Sequence, residues 1–254
     1  MMNTDEIKYF LDEKASFYEA RWFIDEDPVQ IPHLFSRKED IEIAGFLTAT
    51  LAWGKRNMIL KACRNLMERL DMSPYEFLMQ ASDDELNVAD GFVYRTFNSI
   101  DATYFLKALS RIYRLEGGLQ QVFSYGYGQG GIEKALVYFR QVFMSFQPPE
   151  RTNKHVANVL KNSSAKRLNM YLRWMVRTNS QVDFGLWDNI EMSDLLIPLD
   201  LHVARVARVT GLLQRKQNDF MAVKELTSRL SEFRPDDPIF YDYALFGLGI
   251  YENF

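Results

Sequence analysis

The sequence predicts an all-α fold, and three observations carry that prediction. The positions Ile7, Phe10, Leu11, Lys14, Phe17, Tyr18 and Trp22 follow the i, i+3, i+4, i+7 rule, and similar spacing recurs in nearly every long segment. Proline, glycine and cap residues punctuate those segments at intervals suited to helices. No run of alternating β-branched residues reads as a strand, and no internal repeat is visible.

Taken in order, the first helix ends before Asp27-Pro28 and Ile31-Pro32, which break the chain into a loop. Helical patterns follow over 39–53 and 56–70, with Gly54 between them. Ser73-Pro74-Tyr75-Glu76 reads as a capping box, with Ser at the N-cap and Glu three residues on. Residues 101–116 and 132–146 are helical in pattern, and Gly126-Tyr127-Gly128-Gln129-Gly130-Gly131 between them reads as a turn. That turn lacks the Lys-Ser/Thr of a phosphate-binding P-loop, and no strand precedes it. Gln147-Pro148-Pro149-Glu150 is the best candidate boundary. Helices are expected near 152–160, 164–178, 201–213 and 219–232, and a last one from Pro238 to Ile250 capped by Asp237.

At 254 residues the chain can form one large domain or two intimate ones. Its 47% hydrophobic and 25% charged residues are ordinary for a globular protein. The single cysteine, Cys63, excludes an internal disulfide and any four-cysteine metal or iron–sulfur site, and it reads as an inert thiol. The N-terminus MMNTDEIKYFLDEK resembles no leader peptide, and no apolar run approaches the ~18 residues of a membrane span, so a cytoplasmic protein without a membrane partner is expected. Net charge is −4, yet 150–216 holds eleven Lys/Arg against six Asp/Glu, about +5, which leaves about −9 for the rest. That segment reads either as a phosphate-binding face or as an ordinary solvated helix surface.

Two stretches contain residue types suited to chemistry. In SSAKRLNMYLRWMVR, Ser163 and Ser164 are good N-cap residues, and Leu168, Leu172 and Met175 form an apolar stripe. Lys166, Met170, Arg173 and Arg177 lie on another stripe, so three cations share one face. Lys166 falls in the first turn, where the helix dipole disfavours a cation. A nucleophilic amine needs such help, because only the neutral form attacks; the alternative is a surface lysine. In IPLDLHVARVAR, Asp200 reads as the N-cap of a helix whose Val203, Val206, Ala207 and Thr210 face inward, with His202, Arg205 and Arg208 on another side and Gly211 at its end. A carboxylate held by backbone amides and flanked by basic residues is suited to stabilising a developing cation; it also serves simply as a cap. Asp183 is a second possible acid, or a turn former. His33, His155 and His202 lack metal-ligand spacing, so neither a metal nor another cofactor is expected.

Lys166 opening a helix, followed by IPLDLHVARVARVTGLL, resembles the core of the helix-hairpin-helix (HhH-GPD) DNA glycosylases, in which a Pro-x-Asp-x-His/Arg-Val-x-Arg pattern holds the essential aspartate. Asp200 matches that aspartate by its flanking residues, and Lys166 matches the nucleophilic lysine of bifunctional members by its placement. Longer matches in RLNMYLRWMVR, VDFGLW and DPIFYDYALFGLGI resemble a group of uncharacterised bacterial proteins linked to that superfamily. Three departures stand out. The glycine-rich hairpin before the lysine helix is replaced by Val159-Leu160-Lys161-Asn162-Ser163-Ser164. The 34-residue separation of Lys166 and Asp200 implies an insertion over Thr178–Leu196, and the cysteine cluster of iron–sulfur members is absent. The cluster-free 8-oxoguanine glycosylases are therefore the closer analogy.

The resemblance implies a two-lobed helical bundle with a cleft between the lobes, residues 30–147 forming one and 1–29 with 148–254 the other. It implies a base-excision DNA glycosylase with AP lyase activity on double-stranded DNA that contains a damaged base, an oxidised purine among the candidates, in which Lys166 and Asp200 act on a flipped nucleotide. Arg167, Arg173, Arg177, His202, Arg205, Arg208, Lys55 and Arg56 are then candidates for DNA contacts. Trp53, in the joint Ala52-Trp53-Gly54-Lys55-Arg56-Asn57, can wedge into the stack or pack in the core. Two other readings stay open: a non-catalytic nucleic-acid-binding module, and a helical interaction protein in which Lys166 and Asp200 lie more than ~10 Å apart without a shared cleft.

Overall fold

The computed structural model describes residues 3–252 and 254, and they are mostly helical. In chain order the helices are α1 (Thr4–Tyr18), α2 (Arg21–Glu26), α3 (Lys38–Leu51), α4 (Arg56–Arg69), α5 (Pro74–Gln80), α6 (Ser99–Leu115), α7 (Leu119–Gly128), α8 (Gly131–Phe143), α9 (Lys166–Val176), α10 (Leu201–Val209), α11 (Phe220–Phe233) and α12 (Tyr241–Tyr251). Short 3₁₀ turns link several of them. A two-residue hairpin pairs Val93–Tyr94 with Phe97–Asn98. The all-α expectation holds at this level. The chain divides into two compact units, Met1–Glu26 with Asn158–Phe254, and Asp27–Ala157.

In the first unit α12 is the packing centre, and its two glycines show why. A Cβ on Gly247 would lie 2.3–2.5 Å from the Tyr18 ring of α1, and one on Gly249 would lie 2.8 Å from His202 Cβ of α10. Glycine inside a helix costs ~0.5–1 kcal/mol relative to alanine. Here that cost is offset by close approach of α1 and α10 to α12. Tyr18 adds a hydrogen bond to Glu252 (2.6 Å) and stacks on Tyr251.

Beneath these contacts lies a buried ion cluster on α9. Arg177, 2% exposed, donates to Asp237 through Nε and Nη2, to Glu19, and to Asp183 at 3.0 Å. Arg173 donates to Asp183 at 3.2 Å and to Asp242, and Tyr243 completes Asp183 with a 2.9 Å hydrogen bond. Burial alone lowers the Arg177 pKa, but the bonds to Asp237 and Glu19 outweigh it and raise it. The expected basic face along Lys166, Arg173 and Arg177 is therefore wrong for the two arginines. Apart from Asp183, their partners come from distant parts of the chain, so helical spacing alone could not reveal them.

Asp237 was expected to cap the last helix. Its side chain makes no cap bond and instead serves Arg177, while a 3₁₀ turn at Pro238–Phe240 leads into α12. The segment expected as an insertion is packed rather than free: Phe184 N–H donates to Trp174 O (2.8 Å) and Trp187 N–H to Met175 O (2.9 Å). Gly185 (φ +58°) permits this, since a Cβ there would sit 3.1 Å from Arg177 O.

In the second unit α3 is buried continuously from Ile41 to Leu51, and Phe46 packs on Phe105, Phe139 and Phe143. Gly126 and Gly128 belong to α7 rather than to a turn; a Cβ on Gly126 would meet Ala135 Cα of α8 at 2.8 Å. Close helix contact, not chain reversal, explains that glycine. Ser73 makes no cap bond before α5, and the Tyr75 amide is taken by Asp40 (2.8 Å). The helix expected near 152–160 is two 3₁₀ turns, Glu150–His155 and Val159–Lys161. The first lies in this unit, where Thr152 donates to the buried Asp101 at 2.9 Å. The unit thus extends past the proline pair to Ala157.

Two stability outcomes follow from the first unit. Arg177→Met should cost about 3–5 kcal/mol in urea unfolding, because it leaves buried carboxylates without their cation; a loss below ~1 kcal/mol would contradict the network's importance. Gly249→Ala should cost about 1–3 kcal/mol through overpacking against His202, despite alanine's better helix propensity. A neutral or stabilising result would show that α10 and α12 can separate freely.

Candidate active site

Lys166 is placed by the turn before α9. Asn158 accepts from the Leu160 amide (3.1 Å), Ser163 N–H donates to Asn158 O (3.2 Å), and Asn162 takes a left-handed conformation (φ 61°). Asn162 Nδ2 then donates to Asp219 (2.9 Å), the N-cap of α11, and an isolated bridge joins Ser163 to Asp219. The guanidinium of Arg215 holds the Asp219 carboxyl well below its usual range. The N-cap of α9 is Ala165, in a left-handed conformation (φ 50°) with no side-chain cap bond, not Ser163 or Ser164. Ser163 Oγ is engaged by the Ala165 amide at 3.3 Å.

Asp200 is the N-cap of α10, as its sequence context indicates. Its Oδ1 accepts from the amides of His202 (2.8 Å) and Val203 (2.9 Å). Both bonds fall on one oxygen, which aims the other. Asp200 Oδ2 lies 3.8 Å from Lys166 Nζ, and the side chains are 18% and 27% exposed respectively. An amine and a fixed carboxylate thus meet at the starts of two helices, within reach of solvent.

Asp242, on the first turn of α12, was not anticipated. It is 4% exposed and bonded to Arg173. Burial pushes its carboxyl up to about 6, and the charge of Asp200 adds to this, against the lowering effects of Arg173 and Lys166. The four groups therefore share one electrostatic neighbourhood. A signal for it was present: a lone aspartate in DYALFGLGI, inside a helix apolar on nearly every side, requires a buried partner.

The basic candidates divide by their partners. Arg205 is exposed, with one bond to Gly249 O (2.7 Å). Arg208 organises the following loop, donating to Arg215 O, Lys216 O and Asn218. Arg167 is half-buried, and burial lowers its pKa. His202 packs against Gly249 and edge-on to Phe246. With Arg173 and Arg177 internal and Arg215 bound to Asp219, the surplus charge of this segment is largely spent on structure.

In the second unit Lys55 is exposed and Arg56 begins α4. Trp53 does not stand free as a wedge. Arg95 covers its ring at 4.5 Å, Tyr94 meets it edge-on, and its carbonyl accepts from Tyr94 Oη (2.5 Å). The same unit contains a cavity of about 590 Å³ lined in part by Lys107, Arg111, Tyr104 and Phe146. Burial pushes the Cys63 thiol up to about 12, which keeps it protonated and inert. Asp183, a possible acid by sequence, is a buried counter-ion for both arginines. Among the described residues no group of three or more His, Cys, Asp or Glu is arranged to hold a metal, and no helix is long and apolar enough to cross a membrane.

No curated protein and no solved structure matches the chain. A family model described as a protein of unknown function, DUF2400, matches residues 27–251, which is most of the sequence. The chain belongs to the DUF2400 family.

Proposed function

We propose that this protein is a base-excision DNA glycosylase with AP lyase activity, built as a two-lobed HhH-GPD bundle and acting on a damaged base, an oxidised purine first, in double-stranded DNA. The observation that supports this reading is the 3.8 Å approach of Lys166 Nζ to Asp200 Oδ2, between residues 34 positions apart. The basic residues left for DNA phosphates are Arg205 and Lys55, each exposed, with Arg208, Arg56 and His202 nearby in sequence and Arg167 next to Lys166.

In this mechanism the damaged nucleotide is flipped from the stack. As the bond from C1′ to the base breaks, its electron pair leaves with the base, and the sugar develops oxocarbenium character. Asp200 Oδ2 stabilises that charge while Oδ1 stays on its two amides. The neutral Lys166 amine forms the N–C1′ bond. Opening of the sugar ring and loss of a proton from nitrogen give a Schiff base, from which loss of a C2′ proton expels the 3′ phosphate.

The test is a set of duplex oligonucleotides with 8-oxoguanine, uracil, an alkylated purine or an abasic site, assayed for base release and strand nicking. Wild-type protein should release at least one of the bases and nick the abasic strand, and Lys166→Gln should abolish nicking. Absence of both activities on every substrate would sink the proposal. Asp200→Asn keeps a good cap, so its stability should change by less than ~0.5 kcal/mol while base release falls by about 10²–10³-fold. Asp200→Ala should lose ~1 kcal/mol as well. Equal activity in Asp200→Asn would leave the carboxylate as a cap only.

A further inference from the structure

We propose that the cavity in the second unit binds a nucleoside monophosphate, with its phosphate on Lys107 and Arg111 and its planar base against Phe146. Every residue that lines the cavity belongs to Asp27–Ala157, and the inference does not depend on the glycosylase reading.

One face of α6 forms a wall of this cavity. Ser99, Thr103, Lys107 and Arg111 recur every fourth residue, so they line about 18 Å of helix on one side. Lys107 and Arg111 are half-buried neighbours one turn apart, and like charges at that spacing repel. No acidic residue stands three or four positions from either of them along the helix. Among the described residues neither makes an ion pair or a side-chain hydrogen bond, and Arg111 lies over the Phe146 ring at 5.3 Å.

Other arginines of this unit are treated differently. Arg69 donates to the carbonyls of Val88 and Asp90, Arg114 to those of Leu78, Met79 and Ala81, and Arg140 to that of Val156. Those guanidiniums tie segments together. The two cations at the cavity tie nothing, and their repulsion is relieved by an anion between them.

The remaining lining tells what that anion is attached to. Phe146, Pro149 and Ile100 are apolar. The Tyr104 hydroxyl donates to Phe143 O (2.6 Å), and burial pushes it up to about 12, so no phenolate opposes an anion. Gln147, between Phe146 and the proline pair, holds a left-handed backbone (φ 56°), a strained state for a side-chain-bearing residue of the kind that gathers at ligand clamps. Pro148 and Pro149 then fix the chain. The wall that faces α6 is therefore preformed.

A phosphate monoester carries about −1.5 to −2 near pH 7, which suits two cations. Ser99, Thr103 and Asn87 have no side-chain hydrogen bond of their own among the described residues, and with the Asp90 carboxylate they offer donors and acceptors to sugar hydroxyls. Asp90 also opposes a second phosphate, which favours a monophosphate over a polyphosphate. A planar base has the Phe146 ring to pack on. The volume of about 590 Å³ lies in the range of small-molecule sites.

The test is titration of the full chain with AMP, GMP, CMP and UMP, each read by calorimetry and by backbone amide NMR. At least one should bind, with its largest shifts along α6 and at 146–149. The matching nucleoside, which lacks the phosphate, should bind at least ~10-fold more weakly, and Lys107→Gln and Arg111→Gln should weaken the nucleotide by a similar factor, as loss of a charge-assisted contact requires. Ribose 5-phosphate, which lacks the base, should bind at least ~5-fold more weakly. Urea unfolding checks that the variants fold, and Lys107→Gln decides alone should Arg111→Gln unfold. No binding of any of the four at millimolar concentration overturns the inference, as does unchanged binding in Lys107→Gln or equal binding of ribose 5-phosphate. Shifts along α6 from a duplex oligonucleotide but from no mononucleotide also overturn it, and make the groove a nucleic-acid backbone contact instead. None of these outcomes bears on Lys166.

Discussion

The buried pairing of Arg173 and Arg177 with their carboxylates is the interaction on which the first unit depends. Helix α9 and its C-cap provide the two guanidiniums, while their partners arrive from beyond α1, from the loop after α9, from the turn before α12 and from α12 itself. Taking so many charges out of water costs several kcal/mol per ion before any attraction is counted. The arrangement is tolerable because the geometry is nearly complete: Arg177 donates through all three nitrogens, and Tyr243 donates to Asp183 while lying under the Arg173 guanidinium at 4.4 Å. Such a cluster adds little net stability compared with an apolar core of equal volume. Its effect is on specificity, since sliding α9 against α12 would part Arg173 from Asp242.

That register is also what positions the N-terminal end of α9. Lys166 begins the helix whose later turns are locked by Arg173 and Arg177, and Asp242 ties that lock to α12 through Arg173. Two local devices finish the placement. Asp219 clamps the turn before α9, and Gly249 lets α10 settle against α12 so that the Asp200 cap arrives opposite the lysine. In Asp200 the two amides occupy one oxygen and leave the other 3.8 Å from Lys166 Nζ.

Much of this was legible in the sequence where a residue acts locally. The helical class follows from apolar spacing, and the Asp200 cap follows from an aspartate ahead of an apolar-periodic run. Lys166 as the first residue of its helix was one or two positions from expectation. What could not be read was the destination of side chains whose partners are remote. Arg177 pairs with Glu19, 158 residues away, and a stripe of cations looks the same on a helical projection whether it faces water or carboxylates. Ser73 and Asp237 fail as caps for a related reason. Other groups compete for the same bonds, Asp40 for the amide beyond Ser73 and Arg177 for the carboxylate of Asp237. Gly126 resembled a turn because close helix contact and chain reversal both select glycine.

The central claim is that Lys166 is a nucleophile aimed at a sugar carbon, and the most direct measurement is the identity of the residue that becomes attached to DNA. Wild-type protein is incubated with an abasic-site duplex, reduced with borohydride, digested, and the modified peptide located by mass spectrometry. A single reduced adduct on Lys166 is expected. An adduct on another lysine or on the N-terminal amine, or no adduct at all, would contradict it.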